Sequence, residues 1–273
     1  MTDIEILRYA AFSADPGGGN PAGVVLDASS LSDAEMLAIA ADVGYSETAF
    51  LTAGTGRAYR VRYFSPLAEV AFCGHATVAT AVALAHRDGP GEFRLSTNAG
   101  EVPVTVDDAM RATLTSVPSA VHPIEDLAAL LAALRWARSD LDPALPPRVA
   151  YAGAFHPIIA VTSRPRLADL DYDVPALKAL MEKRDWTTIQ LVWRESADTF
   201  HVRDPFPVGG VYEDPATGAA AAAFGGYLRE LGQTGTIHLR QGDDLGRPGR
   251  LTVEITAGDP RVRVSGTAVP IAG

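Results

Sequence analysis

The chain has 273 residues, 47% of them apolar and 21% charged, which suits one large folded domain or two ordinary ones and excludes a disordered protein. Its formal net charge of −10 excludes the basic surface that nucleic acid requires and disfavours anionic membranes, while a locally positive pocket for a small anion stays open. The acidic start "MTDIEILRYAAFSAD", the single cysteine and the lack of any apolar run near the roughly 20 residues of a membrane span predict a cytoplasmic protein without signal peptide or disulfide.

In chain order, "IEILRYAAF" is predicted to be a strand, "GGGNPAG" a turn and "AGVVLD" a second strand. "LSDAEMLAIAADVG" has the marks of a helix, with Ser32 and Glu35 as a capping box and Gly44 as its stop. "YSETAFL" and "AYRVRYFS" are predicted strands. "CGHATVATAVALAHRDG" is small and apolar on every side, the pattern of a buried helix. Strands follow at "EFRLST", "VPVTV" and "RATLTSV", and Pro118 to Pro123 interrupts the pattern.

The second part repeats the style. "IEDLAALLAALRWARSD" is an amphipathic helix and "LDPALPPR" a connector. Strands at "VAYAGA" and "HPIIAVT", a helix at "PALKALMEKR" and strands at "TIQLVWR" and "TFHVRD" come next. "EDPATGAAAAAFGGYLRELG" is a second buried helix ending at Gly232, followed by strands at "TIHLRQG", "LTVEITA" and "RVRVSGTAV". The fold class is α+β, in two similar halves of residues 1–118 and 119–273, each wrapping strands around a buried helix. The last segment is able to cross back to the first strand.

Both buried helices start after a small residue and a glycine, Cys73-Gly74 and Thr217-Gly218. Free N–H groups and a positive dipole end favour a carboxylate there, and two such ends facing across a cleft make an anion clamp. The other reading is that the glycines only ease packing. Period-two alternation puts Glu47 in line with Tyr45, Ala49 and Leu51, where a carboxylate is costly unless paired or protonated. It is either a proton-transfer group or an edge-strand acid reaching solvent or an arginine.

His75, near the first helix start, and Asp214, just before the second, each have a functional and a structural reading. "GGGNPAG" lacks the Gly-Lys-Ser/Thr ending of a phosphate loop. The histidines are scattered and no cysteine cluster exists, so no metal site is expected. "QGDDLGRPG" reads as an exposed turn with Gln241 and Arg247 as side chains suited to a carboxylate.

Taken together, "GNPAGVVLD", "GYSETAFL", "RYFSPLAEVAFCGHATVATA", "YEDPATGAAAAAFGGYL", "RQGDDLGRPGRLTVEI" and "RVRVSGTAV" resemble the phenazine-biosynthesis PhzF-like family. They occur in the family's order and span nearly the whole chain. The resemblance implies a diaminopimelate-epimerase-like fold: two pseudo-symmetric halves, each a curved sheet or open barrel around a central helix, and a homodimer. It implies a cofactor-independent isomerase acting on a small carboxylic acid, with Glu47, His75 and Asp214 as catalytic residues. Asn20, Gly74, Thr217, Gly218, Ala219 and Gln241 are the implied substrate contacts. Where many members have serine, this chain has Ala219, which keeps the backbone N–H and loses a side-chain donor.

Cys73 stands where diaminopimelate epimerase keeps one of two catalytic cysteines, and its second-half counterpart is Thr217. A single-cysteine chain cannot run a two-thiol mechanism, so Cys73 reads as pocket wall and Glu47 as the base. One base on one face favours a suprafacial proton shift; epimerisation needs a second base, for which the sequence offers His75, Asp214 or Cys73. The alternative is a non-catalytic metabolite-binding or protein-interaction module on the same fold.

Overall fold

In the computed structural model, which describes residues 4–272, the chain divides into two units: Met1–Thr115 with Ser265–Gly273, and Ser116–Val264.

The first unit is built from hairpins joined by parallel crossovers. Leu7–Ala11 lies antiparallel to Asn20–Val25, which runs parallel to Thr48–Thr55. That strand lies antiparallel to Ala58–Phe64, which runs parallel to Gly91–Thr97; Gly100–Val106 and Arg111–Thr115 then add antiparallel. Val262–Pro270 pairs with both Arg111–Thr115 and Leu7–Ala11, so the eight strands close into a barrel. The helix Gly74–Asp88 packs against five of these strands, and every residue from His75 to Ala85 is buried. Its alanines and threonines give it a slim cross-section, so strands approach it from all sides. Asp33–Val43 covers the outside, Met36 and Ala40 packing with Val25, Phe50 and Phe64. Its Ser32–Glu35 capping box is formed and Gly44 adopts the left-handed C-cap.

The second unit has the same order of pairings. Arg148–Tyr151 is antiparallel to Phe155–Val161, which is parallel to Gln190–Arg194. That strand is antiparallel to Thr199–Pro205, which is parallel to Gly235–Gln241, and Gly249–Ile255 adds antiparallel. Gly218–Glu230 packs against strands of this unit, its residues Ala220 to Leu228 all buried. Leu127–Leu134 and Val174–Arg184 form an outer layer around Trp136, Leu177, Met181 and Ile189.

Several elements differ from the sequence reading. Asn20 and Pro21 belong to the second strand, not to the turn before it. Glu47 precedes its strand, which starts at Thr48; residues 45 and 46 bend, and Thr48 to Leu51 are buried on both faces, so simple alternation does not set the direction of Glu47. Within the proline-marked break, Ala120–Pro123 forms a short strand against Arg148–Tyr151, with Pro123 at its last position, where a missing N–H is tolerated. The helix after it stops at Leu134: Arg135 turns left-handed (φ 57°) and Trp136 folds into the core. Two strands of two residues, Glu69–Val70 and Glu213–Asp214, immediately precede the buried helices and carry no periodicity that sequence could reveal.

Candidate functional site

In the first unit, three segments distant in sequence meet at the start of the helix Gly74–Asp88. The Asn20 segment is fixed by Gly19 (φ +55°), where a Cβ would stand 2.1 Å from the Ala11 carbonyl oxygen. Only glycine fits that approach. The Glu47 segment is fixed by Gly23, whose missing side chain admits Thr48 (a Cβ would lie 2.6 Å from Thr48 Oγ1) and whose N–H donates to the Glu47 carbonyl at 3.2 Å. The helix supplies Cys73 as N-cap and His75 one turn-position inside it; Thr77 N–H and Oγ1 both donate to the Cys73 carbonyl (3.0 and 2.6 Å).

These segments bring four side chains around one imidazole. Asn20 Nδ2 lies 3.2 Å from His75 Nδ1. With the amide nitrogen turned to the ring, Nδ1 is the acceptor, the arrangement that fits a tautomer carrying its proton on Nε2. Nε2 faces Ser46 Oγ at 3.4 Å and Glu47 Oε2 at 3.5 Å. Cys73 Sγ lies 3.5 Å from the same Glu47 oxygen and 3.3 Å from His75 Nδ1. Asn20, Cys73 and His75 are buried, whereas the Glu47 side chain keeps 16% of its surface exposed. Cys73 makes no side-chain cap for the helix, so the first-turn N–H groups at Gly74 form a positive end beside the cluster.

In the second unit the corresponding helix start is held by a different set. Asp214, 7% exposed, pairs across the ladder with Asp204, and its carboxylate accepts from the Thr217 hydroxyl at 2.5 Å. Gln241 is wholly engaged by its neighbours. Its oxygen accepts from Thr217 N–H (3.0 Å) and its nitrogen donates to the Asp214 carbonyl (2.8 Å) and Thr217 Oγ1 (3.0 Å). The sequence reading offered Gln241 to a ligand from an exposed turn; it is 1% exposed and ends a strand, while the turn begins after it. Ala219 lies in the first turn of the helix Gly218–Glu230, behind an N-cap, Thr217, that makes no side-chain cap.

Behind Asp214 runs a buried chain that sequence reasoning missed. His156 Nδ1 lies 2.8 Å from Thr188 Oγ1, whose hydroxyl donates to Asp204 Oδ1 at 2.9 Å. Gln190, with its amide nitrogen turned to the carboxyl, donates to both Asp204 oxygens (3.0 and 3.2 Å). Burial pushes the Asp204 carboxyl well above its ordinary range, with the negative charges of Asp214 and Glu213 adding to it. Burial also lowers His156 to about 4. Glu213, raised by burial, is held by Arg203 through Nε (3.0 Å) and Nη2 (2.5 Å). Ser46 was missed as well, because strand alternation put it on the face opposite Glu47; the bend at 45 and 46 brings both to His75. Glu47, Cys73 and His75 each offer a metal-ligating atom, all within 4.8 Å. A separation of 26 residues between Glu47 and Cys73 hid that juxtaposition from any spacing rule.

The phenazine biosynthesis-like protein family model matches residues 9–273. The chain is 35% identical to "Uncharacterized isomerase YddE" of Escherichia coli strain K12, over 97% of this chain and 95% of the relative. Its structure resembles a phenazine biosynthesis protein of the PhzF family from Bacillus anthracis, with TM-score 0.88, 26% identity and coverage of 100% and 98%. A hydroxyproline epimerase from Agrobacterium vitis shares the fold alone (TM-score 0.67, 15% identity, 98% and 91% covered). The fold is therefore of the mixed α/β, diaminopimelate-epimerase-like kind that the sequence motifs implied. Among the described residues no helix is long and apolar enough to cross a membrane.

Proposed function

The chain belongs to the phenazine biosynthesis-like protein family, and from that premise we propose that it is a cofactor-independent isomerase that moves a proton between carbons of a small carboxylic acid. The observation that carries this reading is the Glu47 carboxylate, 3.5 Å from both His75 Nε2 and Cys73 Sγ beside an uncapped helix start. Glu47 removes a proton from carbon and returns it to another carbon on the same face. The substrate carboxylate rests on N–H groups at Gly74, and His75 donates from Nε2 to the enolate-like charge, its ring held by Asn20. General acid/base transfer supplies about 10² to 10⁴-fold, so preorganised donors must supply much of the rest.

The ladders support a one-base mechanism. Thr48 enters its parallel pairing opposite Gly23, and Gln190 enters the matching one opposite Ile158. The residue before each is Glu47 in one unit and Ile189, fully buried, in the other. On this basis we read the units as pseudo-symmetric halves, of which only one carries a base, and the reaction as a suprafacial shift. Asp214 enters the proposal as the third catalytic group, and Thr217, Gly218 and Ala219 as substrate-holding groups on their own unit, with Gln241 fixing Thr217 and Asp214. A homodimer is part of the same proposal, and sedimentation equilibrium measures it.

The test is solvent exchange. The protein is incubated in D₂O with a panel of small amino, hydroxy and cyclohexadiene-type acids, and NMR follows deuterium entering at carbon. Exchange that falls at least about 100-fold in Glu47→Gln, with ligand binding retained, supports the reading. Exchange untouched by Glu47→Gln, or binding without exchange across the panel, overturns it; the second result favours a metabolite-binding module.

A further inference from the structure

We propose that Glu47, Cys73 and His75 also form a three-donor site for a thiophilic divalent cation, Zn²⁺ foremost, and that its occupation silences the proton transfer. The binding clause stands on geometry alone; the silencing clause rests on the proposed function.

The donor atoms already have the spacing that a tetrahedral ion needs. Cys73 Sγ to His75 Nε2 is 3.9 Å, Cys73 Sγ to Glu47 Oε2 is 3.5 Å, and His75 Nε2 to Glu47 Oε2 is 3.5 Å. Zinc bonds of about 2.3 Å to sulfur and about 2.0–2.1 Å to nitrogen or oxygen, opened to tetrahedral angles, span edges of roughly 3.3–3.6 Å. Closing the triangle therefore asks for shifts of a few tenths of an ångström. The set is chemically mixed in the way zinc tolerates: one thiolate, one imidazole and one carboxylate. Three protein donors leave a fourth position open, the arrangement of an exchangeable rather than a structural ion.

Charge also balances. The positive end of the helix Gly74–Asp88 opposes a bare cation, but the bound site would hold a thiolate and a carboxylate against a dication. On binding, the Cys73 S–H bond breaks, its proton leaves to solvent and the sulfur–metal bond forms. His75 Nε2 gives its proton up while Nδ1 takes one, so the ring stays neutral and coordinates through Nε2. Nδ1–H then donates to Asn20 with its amide turned to present oxygen, the outer partner that ligating histidines use. Glu47 Oε2 faces the metal, and the charge that the carboxylate shares with a dication makes it a far weaker base towards carbon.

The experiment reads binding and turnover separately. Co²⁺ is added to the full chain as a spectroscopic substitute for Zn²⁺, and Zn²⁺ itself is titrated calorimetrically in two buffers of different ionisation enthalpy. The expected result is one site, a thiolate-to-cobalt charge-transfer band and release of about one proton per ion. Cys73→Ala and His75→Gln should each weaken Zn²⁺ by about 100-fold or more, and Asn20→Ala by about tenfold. His201→Gln, a histidine beside Glu195 and Asp243, should change nothing and so controls for surface binding. Unaltered circular dichroism of each variant keeps unfolding from imitating ligand loss. Binding that survives Cys73→Ala, or cobalt bound without the sulfur band, overturns the site. Zinc that binds as expected yet leaves carbon exchange running overturns the silencing clause alone. Silent exchange in metal-free protein, with the cobalt band present, counts against the isomerase reading and leaves the site standing.

Discussion

The starts of the two buried helices are laid out on one plan and finished with different chemistry. In each, an arginine on the preceding long strand grips the glutamate of a two-residue strand: Arg62 holds Glu69 through Nε and Nη2 at 2.7 Å each, and Arg203 holds Glu213 in the same fork. In each, one member of the next ladder pair bonds to the helix start: Tyr63, paired with Val70, to Thr77, and Asp214, paired with Asp204, to Thr217. The first helix start carries Cys73 and His75 beside Glu47, groups able to exchange protons, of which Glu47 keeps part of its surface open to solvent. The second faces carboxyls already bonded to Thr217, Thr188 and Gln190. The lesson is that the ladder fixes where a side chain projects, while the burial and bonding of that projection decide whether it reacts or holds.

The arginine forks give the largest expected effect after loss of Glu47. Arg203 and Glu213 are 8% and 0% exposed, whereas Arg62 and Glu69 are 18% and 27% exposed. Arg203→Ala strands a buried carboxylate and is expected to cost about 3–5 kcal/mol. Arg62→Ala, at a wetter pair, is expected to cost about 1 kcal/mol or less. Urea unfolding of both variants measures the difference; equal losses would erase burial as the distinction between the two forks.

His156 sharpens the contrast through pH. Its folded value near 4 lies below the ordinary 6.5, so the folded state favours the neutral ring. That contribution is fully present above pH 6.5 and is lost as pH falls towards 4, because the unfolded chain takes up the proton first. The loss is about 3 kcal/mol across that window. Thermal melts from pH 7 to 4 should fall more steeply for the natural chain than for His156→Gln, and parallel curves would show that the buried ring is not the titrating group.

The smallest effect is expected from making the two helix starts alike. Cys73→Thr gives the first helix the N-cap residue of the second. The Cys73 backbone is extended (φ −145°, ψ 117°), which suits a β-branched residue. Deuterium exchange should stay within about tenfold of the natural chain, a change of about 1.4 kcal/mol in the barrier. A loss as deep as that of Glu47→Gln would transfer the chemistry to the thiol.

Much of this arrangement is legible in the sequence, and its limits have physical causes. The Ser32–Glu35 box and Gly44 stop bound one helix correctly because capping is local. The all-round small residues after Cys73 and Thr217 mark helices surrounded by strands for the same reason. What composition and period do not encode is the ladder register that brings Asn20 and Ser46 to His75, since that depends on Gly19 and Gly23 yielding space to distant backbone and side chain. Nor do they encode the His156–Thr188–Asp204 chain, whose members look like ordinary surface residues until three strands align. The short strand Ala120–Pro123 was obscured by prolines that usually argue against one.

The strand Val262–Pro270 closes a barrel whose other seven strands all lie before residue 116. During synthesis those seven emerge first, with two open edges at Leu7–Ala11 and Arg111–Thr115, and the closing strand Val262–Pro270 follows only later. The unit Ser116–Val264 is one continuous stretch of chain, and its last three residues open that closing strand. Closure of this barrel therefore waits on a strand that lies beyond the whole second unit in the chain, and until it arrives both edge strands are open to pairing with other chains.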